Sequence, residues 1–290
     1  MAAFSLEHIT ARETWRAFAP ALHIEDAGMF KAAAVLPVDP ARAIAAREHL
    51  LLEGYLQESG VVFSVDLAVM AETVRKLSAA GLSPVFAFLY DEFWLPYCQL
   101  DGLFREILGG YAMLPDFWCW NVDPAKGDAG WTPHRDKGGG TLRPDGMPNS
   151  ITVWIPLTDA TPLTSCMYIV PARLDPTYGT AREGEWRFDL PSIRALPAKP
   201  GDVLIWNQAV LHWGSKSAPH GKESRISMAI EFQRADVPPM NPPLIRPNVL
   251  LPFEQRLKLI ARQVLQYRHM YKVAPDIEQM MLKLVQETAP

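Results

Sequence analysis

Several features are missing from this sequence, and each absence argues against a class of protein. No run of about 18 apolar residues occurs, so we expect no membrane span and no membrane partner. The formal net charge is −4 and the pI about 6.0, without a long basic stretch, which is not the charge pattern of a nucleic-acid-binding protein. The first residues include acids and lack an uninterrupted apolar core, so they do not predict a signal peptide.

Cysteine is also scarce. The three cysteines, Cys98, Cys119 and Cys166, are far apart, and none belongs to a CxxC pair. An odd number at wide spacing predicts reduced thiols rather than a disulfide framework or a zinc cluster. We therefore expect a cytoplasmic protein.

Apolar residues, by contrast, are plentiful. They make up 49% of the 290 residues and include nine tryptophans, which is enough for a sizeable core. Neither an internal repeat nor a low-complexity linker divides the chain, so we expect a single domain, 1–290. Its hydrophobic period predicts three parts: a helical N-terminal layer (1–114), a β-rich core (115–235) and C-terminal helices (236–290).

Capping residues and helix breakers delimit the elements predicted in the N-terminal layer. Asp39 and Pro40 suit a helix start, because Asp accepts hydrogen bonds from free N–H groups and Pro fits the first turn. The predicted elements are helices from 40 to about 59, from about 66 to 80 and over 91–108, and a short strand at 84–90.

The central part contains short β-rich segments separated by Gly, Pro, Asp or Asn. This pattern is typical of an all-β sandwich or barrel. The predicted strands are 116–122, 150–157, 166–170, 186–190, 201–207 and 225–233. Two amphipathic segments, 253–272 and 276–288, follow the core. We expect them to cover a sheet. A dimer interface is the alternative use of these two segments.

The stretch GWTPHRDKGGG, residues 130–140, contains a candidate pair of metal ligands. On an extended segment His134 and Asp136 project to the same side, so they can share one cation. A solvated surface pair is the alternative. A kinase catalytic loop is excluded, since position 141 is Thr rather than Asn and no DFG occurs. The glycines do not precede Lys-Ser/Thr, so they do not form a P-loop either.

A third candidate ligand lies downstream. His212 ends the short apolar piece AVLH, and its strand can lie opposite the HxD segment in a closed β-fold. The remaining histidines are assigned no ligand role: His8, His23, His49, His220 and His269. Two histidines and one carboxylate form the facial triad of non-haem Fe(II) oxygenases, which leaves coordination positions open.

Such a site can take 2-oxoglutarate, whose distal carboxylate needs a cation. Arg225 and Ser227 share one face of the predicted strand RISMAIEFQ. Arginine binds a carboxylate through two parallel hydrogen bonds, and a serine hydroxyl can add a third. A structural ion pair is the alternative role for Arg225.

Together these residues resemble the iron- and 2-oxoglutarate-dependent dioxygenases, and most closely their phytanoyl-CoA dioxygenase-like family. The resemblance covers about 115–235 and is carried by HRD at 134–136, by VWIPLTDAT…CMYIVPARLDP at 153–176 and by GDVLIWN…H…R at 201–225. It implies a double-stranded β-helix, a jelly-roll (cupin-like) core, with flanking N- and C-terminal helices. The fold class expected is therefore mainly β with flanking α.

The resemblance also implies roles for four residues. His134, Asp136 and His212 correspond to the Fe(II) ligands, and Arg225 to the residue that binds the 2-oxoglutarate carboxylate. With O2 as the third reactant, the implied reaction gives succinate and CO2 and hydroxylates an unactivated C–H bond of a small molecule. Family members that halogenate lack the carboxylate, so the presence of Asp136 favours hydroxylation. Desaturation and ring closure stay open.

Two further residues are candidates for contact with 2-oxoglutarate. Trp154 matches a family position near the co-substrate, although core packing is the default for a strand tryptophan. Asn121 is assigned to the same co-substrate from its position on the first core strand.

A third group is expected to face the substrate. Trp131 and Lys137 flank the proposed iron ligands, and Trp118 and Trp120 lie on the first core strand. This aromatic surround favours a medium-sized, partly apolar molecule, natural-product or amino-acid-like. Segment 138–149 is expected to form a mobile rim loop or lid, with the three glycines bending the backbone away from the metal.

A different class of protein could use the same ligands. A cupin-like isomerase or metal-binding protein has no need of 2-oxoglutarate, and therefore no need of Arg225. The role of Arg225 distinguishes the two interpretations.

Overall fold

The computed structural model describes residues 4–271 and 273–286. Within these ranges the strands are β1 (Tyr55–Glu58), β2 (Tyr111–Val122), β3 (Ser150–Pro156), β4 (Met167–Val170), β5 (Arg194–Leu196), β6 (Val203–Asn207), β7 (Leu211–Gly214) and β8 (Arg225–Arg234). They form a five-stranded sheet, β1-β6-β3-β8-β2, and a three-stranded sheet, β5-β4-β7. All the strand pairs are antiparallel, as expected for a jelly roll.

Helices precede and follow the β-rich region in the sequence. They are α1 (Leu6–Thr10), α2 (Arg12–Phe18), α3 (Ala27–Ala32), α4 (Pro40–Glu53), α5 (Leu67–Ala79), α6 (Leu95–Gln99), α7 (Asp101–Leu108), α8 (Phe253–Gln266) and α9 (Pro275–Gln286). None of the helices in the described ranges is both long and apolar enough to cross a bilayer.

The two faces of the five-stranded sheet differ in character because side chains alternate along each strand. On β8 the residues Ile226, Met228 and Ile230 join the large core that the sheet shares with the helices. The intervening Arg225 and Ser227 lie on the opposite face, toward the three-stranded sheet. A second, smaller core fills the space between the sheets and includes residues of both: Trp154, Trp206, Met167 and Ile169.

Most of the predicted N-terminal helices are confirmed. The Asp39 carboxylate accepts a hydrogen bond from Arg42 N (2.9 Å) at the start of α4, and Asp66 caps α5 in the same way. The predicted extension of the first helix to about residue 59 is wrong. Gly54 ends α4 with φ +80°, and the next four residues form β1, which pairs with β6. Residues 55–58 form a strand because they pair with β6, and local periodicity does not reveal such long-range pairing.

The strand predicted at 84–90 is also wrong. Pro84–Leu89 is a 3-10 helix, and its residues from Val85 to Leu89 are completely buried. A continuous apolar run does not distinguish a buried strand from a buried helical turn, and here the run packs beneath α5 and α8. The helical region predicted at 91–108 is confirmed as a 3-10 turn followed by α6 and α7.

Five of the six strands predicted in the core are present, with their ends shifted by a few residues. The exception is 186–190, which is not a strand and leaves Trp186 and Leu190 largely exposed. An apolar pattern does not form a strand unless a sheet edge is available to pair with it. The short β5 was not predicted, because three residues carry too little periodicity.

The C-terminal helices cover the sheet as expected. Helix α8 lies against β2 and the 3-10 helix at 84–89, and α9 packs on α8. The predicted C-terminal segments ran to 272 and 288, and residues 272, 287 and 288 lie outside the described part of the chain. A dimer through these helices stays a prediction.

Candidate active site

The three proposed metal ligands lie together at one end of the space between the sheets. His134 is paired with His212 of β7 by two backbone hydrogen bonds, each 3.0 Å long. The Oδ1 atom of Asp136 is 3.3 Å from His134 Nε2 and 3.5 Å from His212 Nε2. All three donor atoms lie within 4.8 Å of one another, which suits one shared ion.

Hydrogen bonds to backbone carbonyl groups orient both imidazole rings. His134 Nδ1 lies 2.7 Å from Thr132 O, and His212 Nδ1 lies 3.2 Å from Val210 O. Because a carbonyl oxygen can only accept, each Nδ1 carries the proton and each Nε2 keeps its lone pair for a metal. The Nε2 atom of His134 is buried without a hydrogen-bond partner, so the donor set fits a divalent cation.

Asp136 is oriented as firmly as the two rings. Its Oδ2 atom accepts hydrogen bonds from Thr152 Oγ1 (2.6 Å) and Trp206 Nε1 (3.0 Å). Oδ1 is thereby left to face His134 and His212. Thr152 and Trp206 were not predicted as site residues. Both stand on predicted strands, but only the strand register shows that they reach Asp136.

The protonation of the three ligands is set by burial and by their mutual charges. Burial lowers the pKa of His212 to about 4, so this ring is neutral at neutral pH. Burial opposes ionisation of Asp136, but the neighbouring His212 and His134 outweigh it and hold its pKa well below the ordinary value. Burial acts to lower the pKa of His134, yet Asp136 raises it overall. A metal ion therefore competes with a proton at His134.

Arg225 lies at the other end of the same space and has no carboxylate partner among the described residues. Its guanidinium donates to Ser227 Oγ (2.6 Å), to Ser165 O (3.0 Å) and to Ser165 Oγ (3.3 Å), and lies 5.8 Å from the centre of the Trp154 ring. Within the described ranges, therefore, Arg225 does not form the structural ion pair considered as an alternative. Burial lowers the pKa of Arg225 to about 10, so it is still a cation at neutral pH. A buried, unpaired cation is costly, and an anionic ligand would offset that cost.

Arg225 and the three candidate ligands line one cavity. Trp154 lines it beside Arg225, and the backbones of Gly130 and Gly214 cross there. A Cβ atom added at Gly130 would lie 2.5 Å from Gly214 Cα and 3.2 Å from Arg225 Nη2. Only glycine fits at this crossing, which keeps open the space in front of Arg225.

Further aromatic and charged side chains line the same cavity. Trp118, Trp120 and Trp131 all line it, as the sequence suggested. Lys137 does not line it directly. Its Nζ atom lies 2.5 Å from Glu231 Oε2 and 3.7 Å from Asp116 Oδ2, two unpredicted carboxylates that do line the cavity. A role for these residues in substrate binding stays a prediction.

Asn121 does not line the cavity. It is opposite Ile226 in the β2–β8 register, whereas the adjacent Trp120 is opposite Ser227 on the cavity face. Neighbouring residues of a strand point to opposite faces, so Trp120 and Asn121 cannot both reach the co-substrate end. The prediction from position alone did not consider this alternation.

The segment 138–149 also lies away from the cavity wall. None of its residues lines the cavity, and it is held by hydrogen bonds such as Asn149 N to Thr141 O (2.7 Å) and Gly139 N to Glu183 Oε2 (2.5 Å). Tyr267, just after α8, lines the cavity instead. Tyr271 does not line the cavity, but its hydroxyl accepts a hydrogen bond from Nε1 of the cavity residue Trp131 (2.6 Å). No sequence signal placed these tyrosines at the site.

A jelly roll with two histidines and an aspartate on one end defines a class of mononuclear metal enzymes. The chain resembles solved structures of that class. The α-ketoglutarate-dependent epimerase SnoN from nogalamycin biosynthesis is 20% identical, with 73% of this chain and 94% of SnoN covered and a TM-score of 0.53. A complex of SnoN with Fe3+, alpha ketoglutarate and nogalamycin RO is 18% identical, with 73% and 96% covered and a TM-score of 0.50.

Two other structures are similar over most of their length. A nickel complex of the non-heme monooxygenase ThoJ is 16% identical, with 81% of this chain and 99% of ThoJ covered and a TM-score of 0.54. AviO1 from Streptomyces viridochromogenes Tue57 is 18% identical, with 70% and 99% covered and a TM-score of 0.51. At these identities the likeness shows a shared fold. No curated protein matches the chain by sequence.

The sequence profile of the phytanoyl-CoA dioxygenase family matches residues 64–220. This range is more than half of the chain and contains all three candidate metal ligands. The protein therefore belongs to the phytanoyl-CoA dioxygenase family, a family of iron- and 2-oxoglutarate-dependent enzymes. Arg225, Glu231 and the two C-terminal tyrosines lie beyond the matched range.

Proposed function

We propose that this protein is an Fe(II)- and 2-oxoglutarate-dependent oxygenase that hydroxylates an unactivated C–H bond of a small molecule. The observation that carries the proposal is Arg225. It is a buried cation without a carboxylate partner in the described chain, and it shares a cavity with the ligand set His134, Asp136 and His212. A co-substrate with a keto acid at one end and a carboxylate at the other matches that arrangement.

The metal ligands and the carboxylate-binding residues lie at different ends of the cavity and have different roles. The triad would hold Fe(II), which with 2-oxoglutarate and O2 supplies the oxidising chemistry and yields succinate and CO2. Arg225 and Ser227 would bind the distal carboxylate, with Trp154 against the same guanidinium. Arg225 and Ser227 are both buried, and the low dielectric constant of a buried site strengthens that charge interaction.

The substrate is expected on the side lined by Trp118, Trp131 and Tyr267, with polar contacts available from Glu231 and Asp116. The combination favours a medium-sized molecule with apolar rings and a few polar groups. SnoN and ThoJ are described as an epimerase and a monooxygenase, so the shared fold supports more than one outcome of C–H oxidation. Asp136 supplies the carboxylate ligand that halogenating members of the family lack, and we therefore favour hydroxylation over halogenation.

A cupin-like protein that binds metal without 2-oxoglutarate is the second candidate. It explains the triad but not Arg225. An anaerobic titration separates the two: Fe(II) is added to the metal-free protein, then 2-oxoglutarate, while the visible absorbance of the iron–keto-acid chelate is recorded. The oxygenase proposal requires this band. If Fe(II) binds and no band forms, the cupin-like interpretation replaces it.

The same titration with Arg225→Lys tests the carboxylate site. Lysine keeps the positive charge but loses the paired geometry, so 2-oxoglutarate affinity should fall by about 10- to 100-fold. Fe(II) affinity should stay within about twofold, because Arg225 does not touch the triad. Arg173→Lys, on an exposed arginine paired with Glu53, is the control and should change neither affinity. Unaltered 2-oxoglutarate binding in Arg225→Lys would remove the main support for the proposal.

A further inference from the structure

Arg135 stands between the two proposed ligands His134 and Asp136, yet its side chain takes the opposite direction. Because residues two apart share a side, the residue between them points away. The Arg135 side chain is only 6% exposed and does not line the cavity. It therefore cannot contact a metal or a substrate, and its burial needs another explanation.

The guanidinium of Arg135 uses all three of its nitrogens. Nη1 donates to Ala209 O (2.6 Å), and Nε donates to Glu183 O (3.1 Å). Nη2 donates to Asp175 Oδ2 (2.6 Å) and to Thr177 Oγ1 (3.1 Å). Asp175 is the only charged partner of Arg135 within the described residues, and the other three acceptors are neutral.

These contacts join the two segments that carry the ligands. Ala209 lies in the turn between β6 and β7, three residues before His212. The segment with His134 and Asp136 is not part of a regular strand. Backbone hydrogen bonds join it to β7 at the His134–His212 bridge and between Gly214 N and Trp131 O (3.0 Å). The turn itself is joined through Gln208 O, which accepts from Lys137 N (3.1 Å) and Gly138 N (3.0 Å). The bond from Arg135 to Ala209 O adds a side-chain attachment to the same turn, and the bonds to Glu183 O and Asp175 attach the ligand segment to a third part of the chain.

The partners of Arg135 are themselves held in place. Asp175 Oδ1 accepts hydrogen bonds from Thr177 N and Thr177 Oγ1, both 2.9 Å long. Thr177 Oγ1 also lies within hydrogen-bond distance of Glu185 O (3.1 Å). Arg135 is therefore attached to a loop whose polar groups are hydrogen-bonded to one another and which contributes none of the three candidate metal ligands.

We propose that Arg135 is a positioning residue for the metal centre, which clamps the His134–Asp136 segment to the His212 turn at the spacing that one ion requires. This inference rests on the metal role of the triad in the proposed function. Groups behind metal ligands that fix their geometry commonly change metal affinity by about 10- to 100-fold when they are altered. Arg135 acts through the backbone of the ligand segments rather than through the ligand side chains.

The test uses metal alone, with Co(II) as an air-stable probe whose visible absorption reports ligand geometry. Arg135→Lys keeps the charge and length but cannot reach Ala209, Glu183 and Asp175 together. We expect its Co(II) affinity to fall by about 10- to 100-fold and its absorption spectrum to change. Arg173→Lys is the matched control, since Arg173 lies near the same loop and bonds only to Glu53 among the described residues. Its affinity and spectrum should stay as in the wild type.

Asp175→Asn is the second variant and decides the matter if Arg135→Lys does not fold. It keeps the size of the side chain and removes the charge that holds Nη2, so a smaller loss of affinity, about 3- to 10-fold, is expected. Melting temperatures are measured alongside. A purely structural role would lower the melting temperature of the folded variants and leave Co(II) affinity and spectrum unchanged, and that result would overturn the inference.

The outcome is separable from that of the proposed function. If the wild type binds Co(II) but forms no chelate with 2-oxoglutarate and Fe(II), the oxygenase proposal fails and the comparison of Arg135→Lys with wild type still stands. If the wild type binds no Co(II), both the triad and the positioning role of Arg135 are wrong.

Discussion

At the scale of single residues, glycine decides where the backbone of this protein can pass. Gly130 and Gly214 approach so closely in front of Arg225 that neither has space for a Cβ atom. The triple glycine is less uniform than its sequence suggests. Gly138 adopts φ +78° and both it and Gly139 pack against Glu183, whereas Gly140 has no neighbouring atom within 4 Å of a Cβ position. These glycines serve contact with Glu183 and the 3-10 turn rather than an open mouth.

We predict that Gly214→Ala destabilises the protein by about 1–3 kcal/mol, because the new methyl group would lie 2.6 Å from Gly130 Cα and force the two segments apart. The affinity for 2-oxoglutarate should also fall, since Arg225 is adjacent to the crossing. Gly140→Ala is the control, and we expect a change within about 0.5 kcal/mol. Urea denaturation measures both, and equal effects of the two substitutions would contradict the steric argument.

At the scale of secondary-structure elements, polar side chains join helices and strands that are distant in sequence. Asp101, at the start of α7, accepts hydrogen bonds from Arg105 Nε (2.8 Å), from the Tyr111 hydroxyl (2.7 Å) and from Asn248 Nδ2 (2.7 Å). One carboxylate thus ties α7 to the first residue of β2 and to the segment before α8. Burial opposes its ionisation, but these donors outweigh that effect and lower the pKa of Asp101.

The depressed pKa of Asp101 predicts a pH dependence of stability with a definite sign. Its stabilising contribution is present above the unfolded-state pKa of about 3.9 and is lost as the pH falls through the lower folded-state pKa. Asp101→Asn should cost about 1–2 kcal/mol at neutral pH and should flatten the loss of stability below about pH 4. Glu72→Gln, at an exposed helix position, is the control. Parallel acid denaturation profiles for Asp101→Asn and wild type would show that this carboxylate is not the coupling group.

In the molecule as a whole, a buried charge pair connects the N-terminal helical layer with helix α8. Arg256 Nη2 of α8 lies 2.6 Å from Asp91 Oδ1, and both side chains are 0% exposed. Asp91 also accepts from the backbone N–H groups of Glu25 and Asp26, and Arg256 donates to Leu89 O. This fully desolvated pair is therefore one of the contacts that hold the N-terminal helical layer against α8.

Removing one member of this pair should cost far more than removing both. Asp91→Leu alone leaves a buried guanidinium unpaired, and we expect a loss of about 3–5 kcal/mol. The double variant Asp91→Leu/Arg256→Met removes both charges and should recover a large part of that loss. A double-mutant cycle by chemical denaturation measures the coupling. Additive effects of the two substitutions would mean that the pair contributes no coupling energy.

The ligand set and the jelly roll could be predicted because their signals are local. The two-residue spacing of His134 and Asp136, the strand pattern before His212 and the family resemblance all point to one site. The strand at 55–58, the 3-10 helix at 84–89 and the face taken by Asn121 could not be predicted with the same reasoning. Each of these depends on pairing or packing with residues far away in the chain, which short-range periodicity does not record.

The sequence alone was enough to predict the family, the order of helical and β-rich parts and the residue types able to bind a metal and a dicarboxylate. Only the tertiary structure decided that Arg225 has no carboxylate neighbour in the described chain, that Thr152 and Trp206 orient Asp136, and that Tyr267 rather than the glycine-rich loop lines the cavity. The two-residue spacing of His134 and Asp136 lies within one segment and can be read from the sequence. Charge pairing, burial and cavity shape arise only where separate segments meet.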